Sequence, residues 1–123
     1  MIELDKSSKE ERTIAKTNPK INSDIEIIIL TNENSASASE IFVGALKENG
    51  EAKIVGTKTF GKGVMQEIVP VESGGALKIT VEEFRTPNGN VINKKGIEPD
   101  VVIEDNEETE SDEQLQKAIE ILK

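Results

Sequence analysis

The chain has 123 residues, no tryptophan, no tyrosine and three phenylalanines, so a core must be built mainly from Ile, Val, Leu and Ala. The formal net charge of −9 argues against nucleic acid or an anionic membrane surface as a partner, because both require basic footprints. The absence of cysteine and histidine excludes disulfides, thiolate nucleophiles, Ser-His-Asp catalysis and the usual zinc and iron sites.

The first twenty residues are polar and predict a weak hairpin that packs on a larger sheet. Its arms would be residues 2–4 and the segment that returns over residues 12–16. Residues 18–19 form an Asn-Pro break. The polar start shows no signal peptide, and no apolar stretch of the chain approaches the ~20 residues that span a bilayer.

A strand-helix-strand unit is predicted next. Residues 25–30 are β-branched and nearly all apolar, which predicts a strand covered on both faces. A helix over about residues 37–48 ends at Asn49–Gly50, and its apolar positions are Ile41, Phe42, Ala45 and Leu46. A second strand over residues 52–55 favours a parallel α/β arrangement.

The remainder predicts β structure and a final helix. Residues 66–71 and 76–85 alternate apolar with polar residues around a Gly-Gly turn, which predicts a hairpin. Residues 91–92 predict a return strand and residues 101–103 a short edge strand, before a solvated acidic linker from residue 104. The last helix would be capped by Ser111 or Asp112, and its apolar face would consist of Leu115, Ala118, Ile119 and Leu122.

Ser37 stands at the predicted strand-to-helix turn, and two hypotheses compete for it. Exposed backbone N–H groups at such a turn suit a nucleophile with an adjacent oxyanion site. Ser37 and Glu40 also fit a capping box, in which the hydroxyl accepts the Glu40 N–H and the carboxylate reaches back. A hydroxyl committed to the backbone is a poor nucleophile, so the hypotheses exclude each other unless Ser35 caps the helix instead.

The segment over residues 56–63, Gly-Thr-Lys-Thr-Phe-Gly-Lys-Gly, nearly matches a phosphate-binding loop. It departs from that loop at Gly63, where a hydroxyl should bind magnesium, and in the strand-like residues that follow. Two other hypotheses concern Lys62. It is either an exposed loop lysine between flexible glycines or a base kept uncharged by burial, with Phe60 and Val64 as its apolar wall. Lysine is the main alternative to histidine for activating a serine.

Three motifs occur in a fixed order: Ser-Ala-Ser-Ala-Ser-Glu-Ile over residues 35–41, the glycine-rich segment over residues 56–63, and Lys-Gly-Ile-Glu-Pro-Asp over residues 95–100. With the 25-residue separation of Ser37 and Lys62, they closely resemble the carboxyl-terminal processing peptidases, the tail-specific serine proteases of the S41 class. The resemblance covers about residues 25–103.

The resemblance implies a mixed α/β fold, an incomplete ClpP/crotonase-like peptidase core in a single domain. That domain would comprise a hairpin-like lead-in over residues 1–20, the core over residues 21–103, and the acidic linker and terminal helix over residues 104–123. Complete members also carry a PDZ domain, a helical N-terminal region and an export signal, so they act in the cell envelope or outside the cytoplasm. We therefore expect this chain to be the C-terminal part of such a peptidase.

The resemblance also implies residue roles. Ser37 would be the nucleophile and Lys62 the general base of a Ser/Lys dyad, with Gln66 orienting the lysine from the same side of a strand. The Ala38 N–H would be one oxyanion donor, and the second would come from a glycine-rich segment upstream of this chain. The implied activity is endopeptidase cleavage of proteins with unstructured C-termini, without a metal or cofactor.

A non-catalytic hypothesis remains beside the peptidase. The chain could keep the peptidase fold and serve only as a binding or oligomerisation module. Truncation would uncover apolar surface and strand edges, which favours a homodimer.

Overall fold

Seven strands and two helices form in the part of the chain that the computed structural model describes, residues 2–13, 25–105 and 111–123. In chain order they are β1 (Ile2–Asp5), β2 (Glu11–Thr13), β3 (Ile28–Thr31), α1 (Ala38–Glu48), β4 (Lys53–Gly56), β5 (Val64–Pro70), β6 (Ala76–Arg85), β7 (Val101–Val102) and α2 (Glu113–Ile121). One sheet is antiparallel, with strand order β2-β1-β6-β5, and the other is parallel, with order β3-β4-β7. The predicted mixed α/β fold is confirmed.

The parallel sheet and α1 form the predicted strand-helix-strand unit. Val43 of α1 packs with Ile54 of β4 and with Ile97, and Ile29 of β3 lies against this cluster. The first strand is shorter than predicted, because it starts at Ile28 rather than at residue 25. The prediction that it is covered on both faces is also wrong within the described residues, since Leu30 remains 38% exposed.

Helix α1 packs through a face that does not contain its largest apolar side chain. Its buried positions are Glu40, Val43 and Gly44, while Phe42 is 59% exposed. A Cβ at Gly44 would lie 3.1 Å from the Thr86 side chain, so the absence of a side chain there allows the close approach. The predicted stop is confirmed, because Gly50 has φ of 72° and closes the last turn in the left-handed region.

The antiparallel sheet contains both predicted hairpins. The first joins β1 to β2, and the part of its predicted return arm beyond residue 13 lies outside the described residues. The second joins β5 to β6, and β1 pairs with the other edge of β6. The predicted return strand over residues 91–92 is reduced, among the described residues, to one antiparallel bridge between Arg85 and Val91. Beyond it the chain turns away and buries Ile92 to 1% exposure.

Helix α2 contacts the parallel sheet through a face different from the one predicted. Asp112 is the cap and accepts the Leu115 N–H at 2.7 Å. The buried residues are Gln114, whose amide donates to the Ile103 carbonyl at 3.0 Å, and Ala118. The other predicted members of the apolar face stay nearly half exposed: Leu115, Ile119 and Leu122. Most of the acidic linker lies outside the described residues, and neither helix is long and apolar enough to cross a membrane.

Candidate active site

Ser37 lies at the turn between β3 and α1 in a backbone conformation that L-residues rarely adopt. Its φ is 57° and its ψ is −115°. Such a conformation costs of order 1–3 kcal/mol for a residue other than glycine, and such residues cluster at functional sites. Ser35 shapes the approach to the turn, because its hydroxyl accepts the Asn32 N–H at 3.1 Å. The strained turn leaves the Ser37 side chain exposed.

The predicted capping box is present, and its carboxylate half is the well-defined one. The Ser37 N–H donates to Oε2 of Glu40 at 2.9 Å, while the Glu40 N–H donates to the Ser37 carbonyl oxygen at 3.0 Å. The Ser37 hydroxyl also faces the Glu40 N–H in this box, but it makes no cap hydrogen bond, because that N–H is directed to the Ser37 carbonyl oxygen. In this geometry the two hypotheses for Ser37 do not exclude each other. The neighbouring Ala38 is the first residue of α1, where no helical carbonyl is available to its N–H.

The carboxylate of Glu40 joins the serine turn to the lysine loop. Its exposure is 0%, and four donors contact it. Oε2 accepts the N–H of Ser37 and the N–H of Lys62, the latter at 2.8 Å. Oε1 accepts the Gly61 N–H at 2.7 Å and the Thr59 hydroxyl at 2.6 Å. A buried carboxylate is costly unless it is hydrogen-bonded in this way, so the loop is fixed against the start of α1.

The third sequence motif and the residue before it form hydrogen bonds with the same glycine-rich loop. The Thr59 hydroxyl accepts the Ile97 N–H at 2.8 Å, and the Lys94 N–H donates to the Gly61 carbonyl at 2.8 Å. Gly96 has φ of 68°, and a Cβ there would lie 2.3 Å from the Thr59 carbonyl oxygen. Only glycine fits at this position. The three motifs that are separate in sequence are therefore adjacent in the fold.

The structure places the Lys62 backbone beside Ser37 but does not enclose the lysine side chain. Lys62 is exposed, and Phe60, proposed as part of an apolar wall, is 65% exposed. The expectation of a buried amine is therefore wrong for the described part of the chain, because no described element covers this side of the loop. Gly61 has φ of 92°, which bends the loop before Lys62.

Gln66 lies on β5, and its amide donates to the Thr80 hydroxyl of β6 at 3.3 Å. Lys62 precedes the strand, which starts at Val64, so the alternation of a strand does not extend to the lysine. The role of Gln66 in orienting Lys62 therefore stays a prediction. A phosphate-binding loop requires a helix N-terminus directly after Gly63, but strand β5 starts there instead. This argues against the phosphate-binding hypothesis.

Asp100, the last residue of the third motif, holds the opposite end of α1. Its Oδ2 accepts the Ile54 N–H at 2.8 Å and its Oδ1 lies 2.9 Å from the Lys47 ammonium. Burial alone would raise the pKa of Asp100, but these two contacts outweigh it and hold the pKa below its ordinary value. Asp100 therefore ties β4 to the C-terminal half of α1.

Sequence reasoning missed Glu40 and Thr59 as parts of the site. Glu40 was assigned only to a cap, and Thr59 only to a loop. No local signal marks Glu40 as buried, because a glutamate three residues after a serine at a helix start is typical of a capping box. Within the described ranges, no group of three or more acidic side chains is arranged to hold a metal ion.

Comparisons with known proteins agree on one family. The family model described as Peptidase family S41 matches residues 2–103. A "Probable CtpA-like serine protease" of Staphylococcus aureus strain N315 is 45% identical over 106 residues, which are 85% of this chain and 21% of the relative. The corresponding protein of Staphylococcus epidermidis is 44% identical over 104 residues, 84% of this chain and 21% of the relative. The chain thus spans about one fifth of the length of these curated relatives.

Solved structures agree as well. The photosystem II D1 C-terminal processing protease superposes with a TM-score of 0.73 at 38% identity, covering 83% of this chain and 27% of that chain. The tricorn protease superposes with a TM-score of 0.66 at 25% identity, covering 90% of this chain and 12% of that chain.

Proposed function

The chain belongs to peptidase family S41, and from that premise we propose that it supplies the Ser37/Lys62 pair of a serine endopeptidase. In this proposal Ser37 is the nucleophile, Lys62 is the general base, and Ala38 supplies one oxyanion donor. Gln66 orients the amine of Lys62.

One observation carries the proposal. The backbone N–H groups of Ser37 and Lys62 share a single acceptor atom, Oε2 of Glu40. The flexible four-carbon stem of a lysine is long enough to bring its amine to a hydroxyl whose backbone is held that close. The strained and exposed turn at Ser37 adds support, because such turns present nucleophiles.

The chemistry follows from these positions. The uncharged amine of Lys62 takes the proton of the Ser37 hydroxyl as Oγ bonds to the scissile carbonyl carbon. The Ala38 N–H and the positive end of α1 stabilise the resulting oxyanion. Lys62 then gives its proton to the leaving nitrogen as the C–N bond breaks, which leaves an ester on Ser37. Water attacks that ester, Lys62 takes a proton from the water and returns it to Oγ, and the new carboxyl terminus departs.

The rest of the site would come from other parts of the whole protein. The exposure of Lys62 and Phe60 supports a covering segment that excludes water and keeps the amine uncharged. The second oxyanion donor would come from the same source. One structural relative is described as processing the C-terminus of D1. By analogy we propose substrates with unstructured C-termini, met in the cell envelope or outside the cytoplasm.

The test is cleavage of a protein with an unstructured apolar C-terminus by the whole protein. Ser37→Ala and Lys62→Ala should each lower the cleavage rate at least roughly a thousandfold, because both remove a reacting group. Lys58→Ala is the matched control, since Lys58 lies on the same loop and only pairs with Glu98 at 2.7 Å on the surface. Cleavage by Ser37→Ala at the wild-type rate would refute the proposal.

The non-catalytic alternative has one observation in its favour. Leu115, Ile119 and Leu122 form an exposed apolar stripe on α2, each at least 45% exposed. A homodimer that buries this stripe would give the fold an assembly role. The alternative predicts a dimer that Ile119→Glu dissociates, together with no cleavage by the whole protein, and a strict monomer in light scattering at high concentration counts against it.

A further inference from the structure

We propose that the outer edge of β5, the edge opposite β6, binds the substrate backbone as an added strand. This inference rests on the proposed peptidase function and adds to it the surface that holds the substrate. The substrate it implies is an extended polypeptide with unpaired backbone N–H and C=O groups, recognised with little regard to its side chains.

The first step is the position of β5 in the sheet. The strand order β2-β1-β6-β5 places β5 at the end of the antiparallel sheet, and among the described residues its only strand partner is β6. A strand at an edge offers a row of unpaired N–H and C=O groups to any chain that can lie alongside it.

The second step identifies which groups point outward. The Phe84 N–H donates to the Gly63 carbonyl at 2.8 Å and the Val71 N–H donates to the Gly75 carbonyl at 3.2 Å. Odd-numbered positions at both ends of β5 therefore face β6. Ladder bonds alternate along an antiparallel strand, so the backbone groups of the even-numbered residues Val64, Gln66 and Ile68 face outward.

The irregularity in the hairpin does not disturb this alternation. Met65 pairs with Glu82 and Gln66 pairs with Thr80, so the extra residue is Val81 on β6 rather than a residue of β5. The outer edge of β5 is therefore a regular strand.

The third step is the continuity of this edge with the candidate catalytic pair. β5 starts two residues after Lys62, whose N–H shares Oε2 of Glu40 with Ser37. A peptide that pairs with the outer edge of β5 would therefore extend to the loop that carries Lys62.

The fourth step is that the edge has little of the usual protection against strand addition. Natural edges are blunted by charges or by proline in the strand. Here β5 carries one charge, at Glu67, and one proline, Pro70 at its last position, while Ile68 is 70% exposed. Main-chain pairing of this kind provides affinity for many sequences, which suits a peptidase that acts on unstructured termini.

The first experiment uses the whole protein and a fluorogenic peptide substrate. Ile68→Pro removes an outward N–H and keeps the bonds to β6, as proline is tolerated on edge strands. Ile68→Ala is the matched control, because it removes the side chain and keeps the N–H. We expect Ile68→Pro to lower kcat/KM by about three- to tenfold, mainly through KM, relative to Ile68→Ala. Hydrolysis of a small activated ester, which requires no strand, separates a loss of peptide binding from damage to the catalytic pair in each variant.

The second experiment leaves the protein unchanged and methylates the backbone nitrogens of the peptide one at a time. Added-strand binding predicts losses of about three- to tenfold at every second nitrogen and little loss between them. Losses that do not alternate overturn the inference even if Ile68→Pro fails to fold, and alternating losses are assigned to β5 by the difference between Ile68→Pro and Ile68→Ala.

Equal kcat/KM for Ile68→Pro and Ile68→Ala, together with methylation losses that do not alternate, would overturn the inference. In that case another part of the whole protein covers the edge, while cleavage by the wild type still supports the catalytic pair. A wild-type protein that hydrolyses neither peptide nor ester would overturn the proposed function and this inference with it.

Discussion

The backbone N–H groups of Ser37 and Lys62 donate to one atom, Oε2 of Glu40, at 2.9 and 2.8 Å. The two nitrogens therefore lie less than about 6 Å apart, although 25 positions separate them in sequence. The relation does not depend on either side chain, so it is a property of how α1 and the glycine-rich loop pack. Glu40 is the residue that enforces it.

Replacing Glu40 with glutamine should disrupt this arrangement. A glutamine has one acceptor oxygen where the carboxylate has two, so it cannot accept all four donors. We expect Glu40→Gln to lower the free energy of unfolding by about 3 kcal/mol, because buried donors lose a charged acceptor. The loss in kcat/KM for peptide cleavage should exceed what the fraction of unfolded protein explains, because the Ser37 turn and the Lys62 loop would move apart. Urea unfolding and kcat/KM measure the two effects.

The matched control for that prediction is Glu98→Gln. Glu98 is an exposed glutamate whose carboxylate pairs with Lys58 on the surface, and such pairs contribute only about 0–1 kcal/mol. If Glu40→Gln were no more destabilising than Glu98→Gln, Glu40 would not hold the two loops together.

The conformation of Ser37 predicts a stability order for its variants. Its φ of 57° is unfavourable for any residue with a Cβ and costs little for glycine. We expect Ser37→Gly to be more stable than Ser37→Ala by about 1 kcal/mol, because the positive φ adds to the ordinary preference of an N-cap for glycine over alanine. Both variants should be inactive. Equal unfolding free energies for the two variants would contradict the strained turn.

Gly96→Ala tests the contact between the third motif and the glycine-rich loop. The new Cβ would lie 2.3 Å from the Thr59 carbonyl oxygen, so the loop that presents Lys62 must shift. We expect a loss of about 3 kcal/mol in unfolding free energy and a large loss of cleavage. Gly89→Ala is the control, because Gly89 also has positive φ, at 83°, but a Cβ there would meet nothing within 4 Å. Gly89→Ala should lower the unfolding free energy by about 1 kcal/mol. Equal losses of unfolding free energy for Gly96→Ala and Gly89→Ala would contradict this packing.

Asp100 predicts how stability depends on pH. Its pKa is lower in the folded chain than its ordinary value of 3.8, so the folded state binds fewer protons than the unfolded state. Its contribution is therefore present above about pH 4 and is lost as pH falls through the folded value. We expect Asp100→Asn to be less stable at pH 7 and to lose stability less steeply below pH 4. Denaturant unfolding at both pH values measures this, and parallel pH profiles would contradict it.

The elements of the fold were predictable where local chemistry determines them. The helix stop at Asn49–Gly50 and the Gly-Gly turn of the β5–β6 hairpin require backbone conformations that few residues adopt, and both are confirmed. The buried faces were less predictable. Phe42 and Leu115 have the periodicity of core residues but are exposed, because burial depends on which element packs against a helix, and periodicity does not specify that element.

The site was predictable as a set of motifs but not as a geometry. The motifs indicated that Ser37 and Lys62 belong together, whereas the means of bringing them together required the fold. Glu40 acts through contacts with residues about twenty positions away, on a loop whose path depends on Gly61 and Gly96. Such contacts leave no local pattern. The exposed loop lysine was one of the two hypotheses for Lys62, and the sequence could not decide between them, because apolar neighbours in sequence need not cover a side chain in the fold.

The most direct test of the catalytic pair is the rate at which a fluorophosphonate labels the whole protein, with the labelled residue identified by mass spectrometry. The label should form on Ser37, and Lys62→Arg should abolish it while the fold persists, because a guanidinium cannot become an uncharged base. Lys58→Arg should label at the wild-type rate. Labelling of Ser37 in Lys62→Arg at the wild-type rate, or labelling of a different serine, would contradict the pairing of Ser37 with Lys62.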